Sequence, residues 1–290
     1  MSTSQASIRG ENRRAIAAMI LGMLLWAVME FLGRFLASCC SAYQVVWVRY
    51  GTHLAILTAI VAPRGVRGMV VTGRGRLQVF RGLLMLVMPV LFIRGVRLVA
   101  EPIVWSVFWV VPILSATLAA VLLHEHVPAI RWAGASLTTL GSALFLWRDG
   151  VAGIAGVGLA LGMGLTFALY IVLTRMLRGE KRSTNLFYTA ASVFIPLTLL
   201  GPAFLRWPGW TGIALMALIG ALGLASLYLI DVAMSIAAVS VVAPIATVQV
   251  VWTCLLQIGA GSLHLTPAAV IGITCILLVV IVFYTRGGST

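Results

Sequence analysis

The sequence predicts an all-α integral membrane protein with ten transmembrane helices, arranged as two inverted five-helix repeats. Of the 290 residues, 61% are hydrophobic and only 9% are charged, and the mean hydropathy is +1.09. A soluble domain of this size could not cover so much apolar surface with polar groups. The apolar residues also fall into ten stretches of about 20 residues, which is the length of a bilayer-spanning helix.

The ten predicted spans follow one another with short connections, which leaves no room for a sizeable soluble domain. In chain order they are Ala15–Leu36, Tyr43–Ala62, Gln78–Leu98, Glu101–Leu122, Ala129–Trp147, Ala152–Arg175, Thr184–Phe204, Thr211–Ala233, Ile236–Ile258 and Thr266–Tyr284.

Prolines help to place the ends and bends of these spans. Five of them lie near span ends, where the missing N–H costs little, and four lie inside spans, where a freed carbonyl either lines a cavity or is absorbed by packing. The four internal prolines are Pro89, Pro112, Pro196 and Pro244.

Basic residues outnumber acidic ones by 20 to 7, but their positions do not indicate nucleic-acid binding. They lie at span ends and in loops, as anionic lipid headgroups and the positive-inside rule explain. Even the basic segment Arg64–Arg76 lacks the interleaved aromatic residues that stack on bases. We therefore expect membrane lipids as partners and no nucleic acid.

The distribution of basic residues between the connections predicts the orientation. With the N-terminus inside, eleven lie in cytoplasmic segments and two, Arg148 and Arg206, lie on the opposite side. This bias predicts a multi-pass protein of the cell inner membrane with both termini cytoplasmic. Cys39 and Cys40 would then lie in an extracytoplasmic loop.

The chain divides into two similar halves, residues 1–150 and 151–290. Residues Ala100–Trp147 align with Ala238–Arg286 without gaps, and the run from Gly22 to Leu36 resembles the run from Gly162 to Leu177. Five spans is an odd number, so the second half would face the opposite way across the membrane. Such inverted repeats are typical of secondary transporters, whose binding sites lie near the midplane between the repeats.

Several short motifs agree in order and spacing with a known family. They are Phe80–Leu84, Ala100-Glu101-Pro102, Val111-Pro112-Ile113, His124-Glu125, Arg131-Trp132, Arg49 within Val46–Tyr50, and Val242-Ala243-Pro244. Together they resemble the ten-helix drug/metabolite transporters with two EamA-type repeats, over almost the whole chain. An acid four residues before a base, Glu30 and Arg34, is similar to the branch that includes S-adenosylmethionine and riboflavin carriers.

The sequence departs from the family pattern at two acidic positions. The family usually repeats the turn glutamate in the second half, where this chain has Leu263, and many members carry a glutamate at the position of Gln249. A mechanism that needs two symmetric carboxylates is therefore not expected here.

The resemblance implies a secondary transporter that moves a small organic metabolite (amino-acid-, nucleoside- or flavin-like) by alternating access. An exporter of amino acids or drugs with the same fold, a lipid-carrier flippase and a membrane-embedded enzyme are the alternatives. The sequence contains no nucleophile–base set, phosphate-cradling glycine loop or dinucleotide fingerprint. We therefore expect no enzymatic activity, no cofactor and a small-molecule substrate.

Charged residues inside the spans are the first candidates for substrate binding, because a charge in hydrocarbon costs at least ~2.5 kcal/mol. Glu30 and Arg34 lie one helical turn apart, so they either serve the substrate or form a structural ion pair. Arg49 and Arg81 suit a carboxylate or phosphate, with snorkelling to headgroups as the alternative.

Polar and aromatic residues within the spans complete the candidate set: Trp26, Trp109, Tyr170, Tyr228 and Gln249. Aromatic rings could stack on a flat ligand, although a ring in a membrane helix more often packs or faces lipid. The cluster His124-Glu125-His126 has too few ligands for a metal site, and the resemblance implies that Glu125 caps or hinges the turn between two spans.

Overall fold

The structure, a computed structural model, describes residues 3–36, 40–146, 153–200, 205–262 and 266–286. Within these ranges the chain forms thirteen α-helices, two short 3-10 segments and no β-strand, which confirms the all-α prediction. The helices are α1 (Thr3–Gly33), α2 (Ala42–Val61), α3 (Arg67–Val70), α4 (Gly75–Gly95), α5 (Glu101–Phe108), α6 (Val111–Leu122), α7 (Ala129–Leu146), α8 (Ile154–Met176), α9 (Arg182–Leu199), α10 (Gly209–Ile236), α11 (Val239–Ala246), α12 (Val248–Gly259) and α13 (Pro267–Arg286).

Eight helical segments of the described chain are long and apolar enough to cross a membrane. They comprise α1, α2, α4, α8, α10, α13 and two composite spans, α5 with α6 and α11 with α12. The helices α7 and α9 are 18 residues long and do not reach the same apolarity, since both carry several hydroxyl side chains. Each lies where the sequence predicts a span.

The two composite spans break near their middles. Pro112, the second residue of α6, has no N–H to continue the helix from α5, and the chain turns at Trp109 and Val110. The Thr139 hydroxyl donates to the freed Trp109 carbonyl at 3.0 Å. The second break, at Thr247, comes three residues after Pro244, which lies inside α11, and the Thr247 hydroxyl donates to the Pro244 carbonyl at 2.6 Å.

The helices pack in pairs that run the length of the bundle. The helix α1 packs along α10, α4 along α8, α2 against α9 and α7 against α13. Near the middle, α6 packs against α11, whereas α5 and α12 make no comparable contact. The two composite spans are therefore in contact through α6 and α11 and are separated at α5 and α12.

The bundle has two ends, which we call the terminal face and the distal face. The terminal face contains the start of α1 and the end of α13, which Arg13 joins by donating to the Tyr284 and Thr285 carbonyls at 3.0 and 2.9 Å. The distal face is the opposite end, with the end of α1 and the starts of α2, α5 and α13. The helices α6 and α11 meet in the terminal half, so the separated α5 and α12 belong to the distal half.

Candidate substrate cavity

A cavity of about 810 Å³ lies inside the bundle and extends toward the distal face. It is lined by residues of α1, α2, α4, α5, α8, α10, α12 and α13. Its volume is within the range of about 300–1,000 Å³ that is usual for sites that bind small molecules. Apolar side chains such as Met85, Met88, Phe92 and Trp105 supply much of the wall.

Glu30 lines the cavity, and both of its carboxylate oxygens accept hydrogen bonds. Its Oε1 accepts a hydrogen bond from the indole Nε1 of Trp26 at 2.7 Å, one turn earlier in α1. Its Oε2 accepts from the side-chain amide of Gln249, on α12, at 2.5 Å. Both oxygens are thus oriented before any ligand binds, and the two halves of the chain are joined across the cavity.

Arg49 is one of the two basic residues that line the cavity. Its guanidinium lies over the Trp26 ring at 5.4 Å and the Tyr50 ring at 5.2 Å. It makes no hydrogen bond with the described residues, and its Nε and Nη2 are shielded without a partner. A Cβ on Gly223 would lie 2.7 Å from the Nε atom, so glycine in α10 makes room for this cation.

Arg34 and Glu101 line the distal part of the cavity. Arg34 does not form an ion pair with Glu30 in the described structure. Instead, Gln257 with its amide oxygen turned toward Arg34 accepts from Nη1 at 3.0 Å and from Nη2 at 2.9 Å. Two acids and two bases therefore line the cavity, and their formal charges cancel.

The structure brings six of the nine predicted site residues to the cavity and places three elsewhere. Those at the cavity are Trp26, Glu30, Arg34, Arg49, Trp109 and Gln249. Tyr170 is fully buried in the core, and Tyr228 is 44% exposed on α10 with Arg182 over its ring at 5.9 Å. Arg81 is buried between α4, α8 and α9, outside the cavity.

Arg81 is bound within a buried polar cluster. Its Nη2 donates to the Asn185 carbonyl at 2.5 Å and to the Thr189 hydroxyl at 2.9 Å, while Nη1 donates to Thr174 at 3.1 Å. Asn185 in turn donates to the Asp231 carboxylate at 2.8 Å. Sequence reasoning missed Asp231, although an acid inside the apolar run of α10 was the signal that could have identified it.

The terminal side of the cavity is closed by α6 and α11 and by polar contacts beyond them. Glu125 Oε1 accepts from the Val239 backbone N–H at 3.3 Å, at the start of α11, and lies 3.9 Å from Arg175 Nε. The glutamate therefore caps a helix of the other half of the chain, not its own turn alone. Among the described residues, the cavity therefore opens toward the distal face and is covered on the terminal side by α6 and α11.

Comparison with known proteins agrees with this architecture. Residues 13–147 match the EamA-like transporter family. The described residues form eight helices long and apolar enough to cross a membrane, and the chain is a multi-pass membrane protein. A solved structure titled only "Crystal structure of protein" shares the fold, with a TM-score of 0.79 and 18% identity over 92% of this chain and 95% of that chain. The search of curated proteins gave no match.

The matched residues 13–147 include Trp26, Glu30, Arg34, Arg49 and Trp109. Gln249 lies outside the matched residues, on α12. The cavity is thus lined by the matched segment together with helices of the second half.

Proposed function

We propose that this protein is a secondary transporter that moves a small organic metabolite across the cell inner membrane by alternating access, without enzymatic activity. The observation that carries the proposal is a charged cavity in the middle of a membrane bundle, reached from one face and closed at the other. The match to a transporter family supports it. Alternating access requires a second conformer in which the cavity faces the terminal side.

The proposed architecture is ten spans in two inverted repeats, residues 1–150 and 151–290. Packing supports it, because α1 against α10 and α8 against α4 are equivalent pairs under the exchange of halves. The breaks support it as well, since the gapless alignment pairs Trp109 with Thr247. A pseudo-two-fold axis in the membrane plane would relate the halves.

The basic residues of the connections support cytoplasmic termini, as the positive-inside rule expects. The distal face would then be extracytoplasmic, and the cavity described above would open to the outside. Arg13, Arg74, Arg178, Lys181 and Arg182 all lie at or near the terminal face.

The proposed substrate carries at least one charged group and an apolar or aromatic body, as amino-acid-, nucleoside- or flavin-like metabolites do. The Nε and Nη2 donors of Arg49 have no hydrogen-bond partner among the described residues, so Arg49 suits a carboxylate or phosphate. Glu30 suits a substrate cation, and Trp26 and Trp109 suit a flat group. Arg34 and Gln249 complete the set, while Arg81, Tyr170 and Tyr228 are outside it.

The test is substrate counterflow with purified protein in liposomes. Vesicles are loaded in turn with unlabelled amino acids, nucleosides, riboflavin or S-adenosylmethionine, and the entry of the same labelled compound is measured. We expect one class to accumulate transiently, and we expect the Arg49→Gln variant to lose that accumulation. Equal uptake by empty vesicles, or uptake unchanged in Arg49→Gln, would contradict the proposed site. S-adenosylmethionine or riboflavin as the substrate would also support the branch to which Glu30 and Arg34 point.

A further inference from the structure

The terminal face is held closed by a small set of polar side chains that join the two halves of the chain. Glu125, in the turn between α6 and α7, contacts both Val239 and Arg175 of the second half. The Glu125 and Arg175 side chains are only 16% and 14% exposed. Their attraction is therefore screened less than that of a surface ion pair.

Two further contacts extend this set. Arg175 donates to the Met234 and Ser235 carbonyls at 2.8 and 3.1 Å, which fixes its guanidinium at the end of α10. Arg131, at the start of α7, donates to the Ser240 hydroxyl of α11 at 3.0 Å. We call the four side chains of Glu125, Arg131, Arg175 and Ser240 the terminal latch.

The distal face can be compared with the terminal face position by position. The gapless alignment pairs Ala100 with Ala238, and both residues begin their composite spans with the same backbone angles, φ −58° and ψ 140° against φ −59° and ψ 146°. The breaks at Trp109 and Thr247 fall at paired positions too. The register between the halves therefore agrees in sequence and in backbone conformation.

Three of the four latch positions have lost their polar side chain at the distal face. Ser240 pairs with Pro102 and Arg131 pairs with Ala269, neither of which has a polar side chain. Glu125 pairs with Leu263, which lies outside the described residues. Arg175 lies outside this alignment; at the distal face, Arg34, directly after α1, is bound to Gln257 of α12.

The nearest acid at the distal face does not replace the missing glutamate. Glu101, on the first turn of α5, is exposed and accepts a hydrogen bond from Trp105 of its own helix at 3.2 Å. It makes no contact with α12 among the hydrogen bonds and ion pairs of the described residues. The helices α5 and α12 accordingly stand apart, while α6 and α11 are packed together.

We propose that the terminal latch, with Glu125 at its centre, holds the terminal face closed. We propose further that the lack of an equivalent set among the described residues of the distal face makes the distal-open conformer the resting state. This inference rests on the proposed alternating-access function. When the terminal face opens, binding of the substrate must then compensate the free energy of the broken latch contacts.

A buried thiol on α6 measures opening of the terminal face without any substrate. Ser115 is fully buried and its hydroxyl has no partner, so Ser115→Cys removes no hydrogen bond. The four native cysteines are changed to alanine, the protein is placed in nanodiscs, and the rate of maleimide labelling is followed. We expect Glu125→Gln to raise this rate about tenfold, as for the loss of one charge-assisted contact. The matched control Glu180→Gln, a carboxylate of the same face outside the latch, should leave the rate unchanged.

A rate in Glu125→Gln within twofold of the parent, in protein that melts like the parent, would overturn the latch. If Glu125→Gln does not fold, the Ser240→Ala variant is the test, because it removes only the hydroxyl that accepts from Arg131. A labelling rate about threefold higher than that of the parent supports the latch, and an unchanged labelling rate overturns it. An additional Arg175→Gln change should add little to Glu125→Gln, since both remove the same pair. The labelling needs no transport, so failure to find a substrate and failure of the latch remain separate results.

Discussion

The indole of Trp26 and the amide of Gln249 donate to different oxygens of one carboxylate, that of Glu30, and so join α1 to α12 across the cavity. Because both of its oxygens accept hydrogen bonds from fixed donors, the carboxylate is held in one orientation in the absence of a ligand. The same bonds also link the first half of the chain to the second half. Glu30 therefore lies both in the cavity wall and in the contact between the halves.

Replacing Glu30 by glutamine separates its charge from its shape. The amide oxygen of Glu30→Gln can still accept from Trp26, and the Gln249 amide can turn its own oxygen toward the new NH₂ group. We expect expression and melting temperature in detergent to stay close to those of the parent, while the rate of transport falls at least about tenfold because the negative charge is gone.

The double variant Glu30→Gln with Arg34→Gln is the control for a purely structural pair. It removes both charges of the α1 turn, while the apolar wall remains. Normal transport by this double variant would remove both residues from the proposed site and leave Arg49 as the charged group that binds substrate.

Gly223 offers a second test, because it acts on Arg49 without changing its charge. The methyl group of Gly223→Ala would lie 2.7 Å from Arg49 Nε, so the guanidinium must move away from α10. We expect the KM for an anionic substrate to rise about tenfold, equivalent to about 1.4 kcal/mol, with a smaller change in the maximal rate.

Gly158→Ala is the matched control, since a Cβ at that position of α8 has no atom within 4 Å. It should leave transport unchanged and stabilise the helix by up to about 1 kcal/mol. Equal effects of the two substitutions on KM would mean that the position of Arg49 does not matter for binding.

The Arg81 cluster predicts a loss of stability. Arg81→Met would leave the Asn185 carbonyl and the hydroxyls of Thr174 and Thr189 without their buried donor. We expect a cost of about 3 kcal/mol in unfolding free energy, measured as a lower melting temperature. The control Arg97→Met lies at an exposed position and should melt like the parent. A stable Arg81→Met variant that no longer transports would return Arg81 to the candidate site.

Cys40 lines the cavity near the distal face and tests the orientation of the chain. A membrane-impermeant thiol reagent should label it in intact cells, and an excess of substrate in the medium should slow the labelling. Cys39 lies outside the described residues, so a background in which Cys39, Cys254 and Cys275 are changed to alanine isolates Cys40. Labelling only after lysis would show that the distal face is cytoplasmic.

More of the architecture than of the candidate site could be predicted from the sequence. Apolar stretches of spanning length are local properties, so the helix positions were predictable. The breaks were not, because Pro89 and Pro196 lie inside the continuous helices α4 and α9, while breaks occur near Pro112 and Pro244. The start of α1 at Thr3, well before Ala15, was not predictable either, because the residues before Ala15 are mostly polar, although they contain no proline. Whether Arg81 faces a cavity or a sealed cluster depends on the rotation of α4 against α8 and α9, which hydropathy does not encode.

The sequence also could not predict which charged residues lie at the closed terminal face. Glu125 was expected at a turn, and its contact with Val239 is between residues 114 positions apart. Such a pairing follows from how α6 meets α11, and a single sequence records no such contact.

The breaks in the two composite spans bear on how much of the molecule must move. An unbroken helix is stiff and must tilt as one rod, so closing its distal end would open its terminal end at once. A joint at Trp109 or Thr247 lets the eight-residue α5 and the twelve-residue α12 swing toward each other while α6 and α11 stay in contact. In the proposed transport cycle the bundle would then pass through a state that is shut at both faces around the substrate, so that the membrane never carries an open channel.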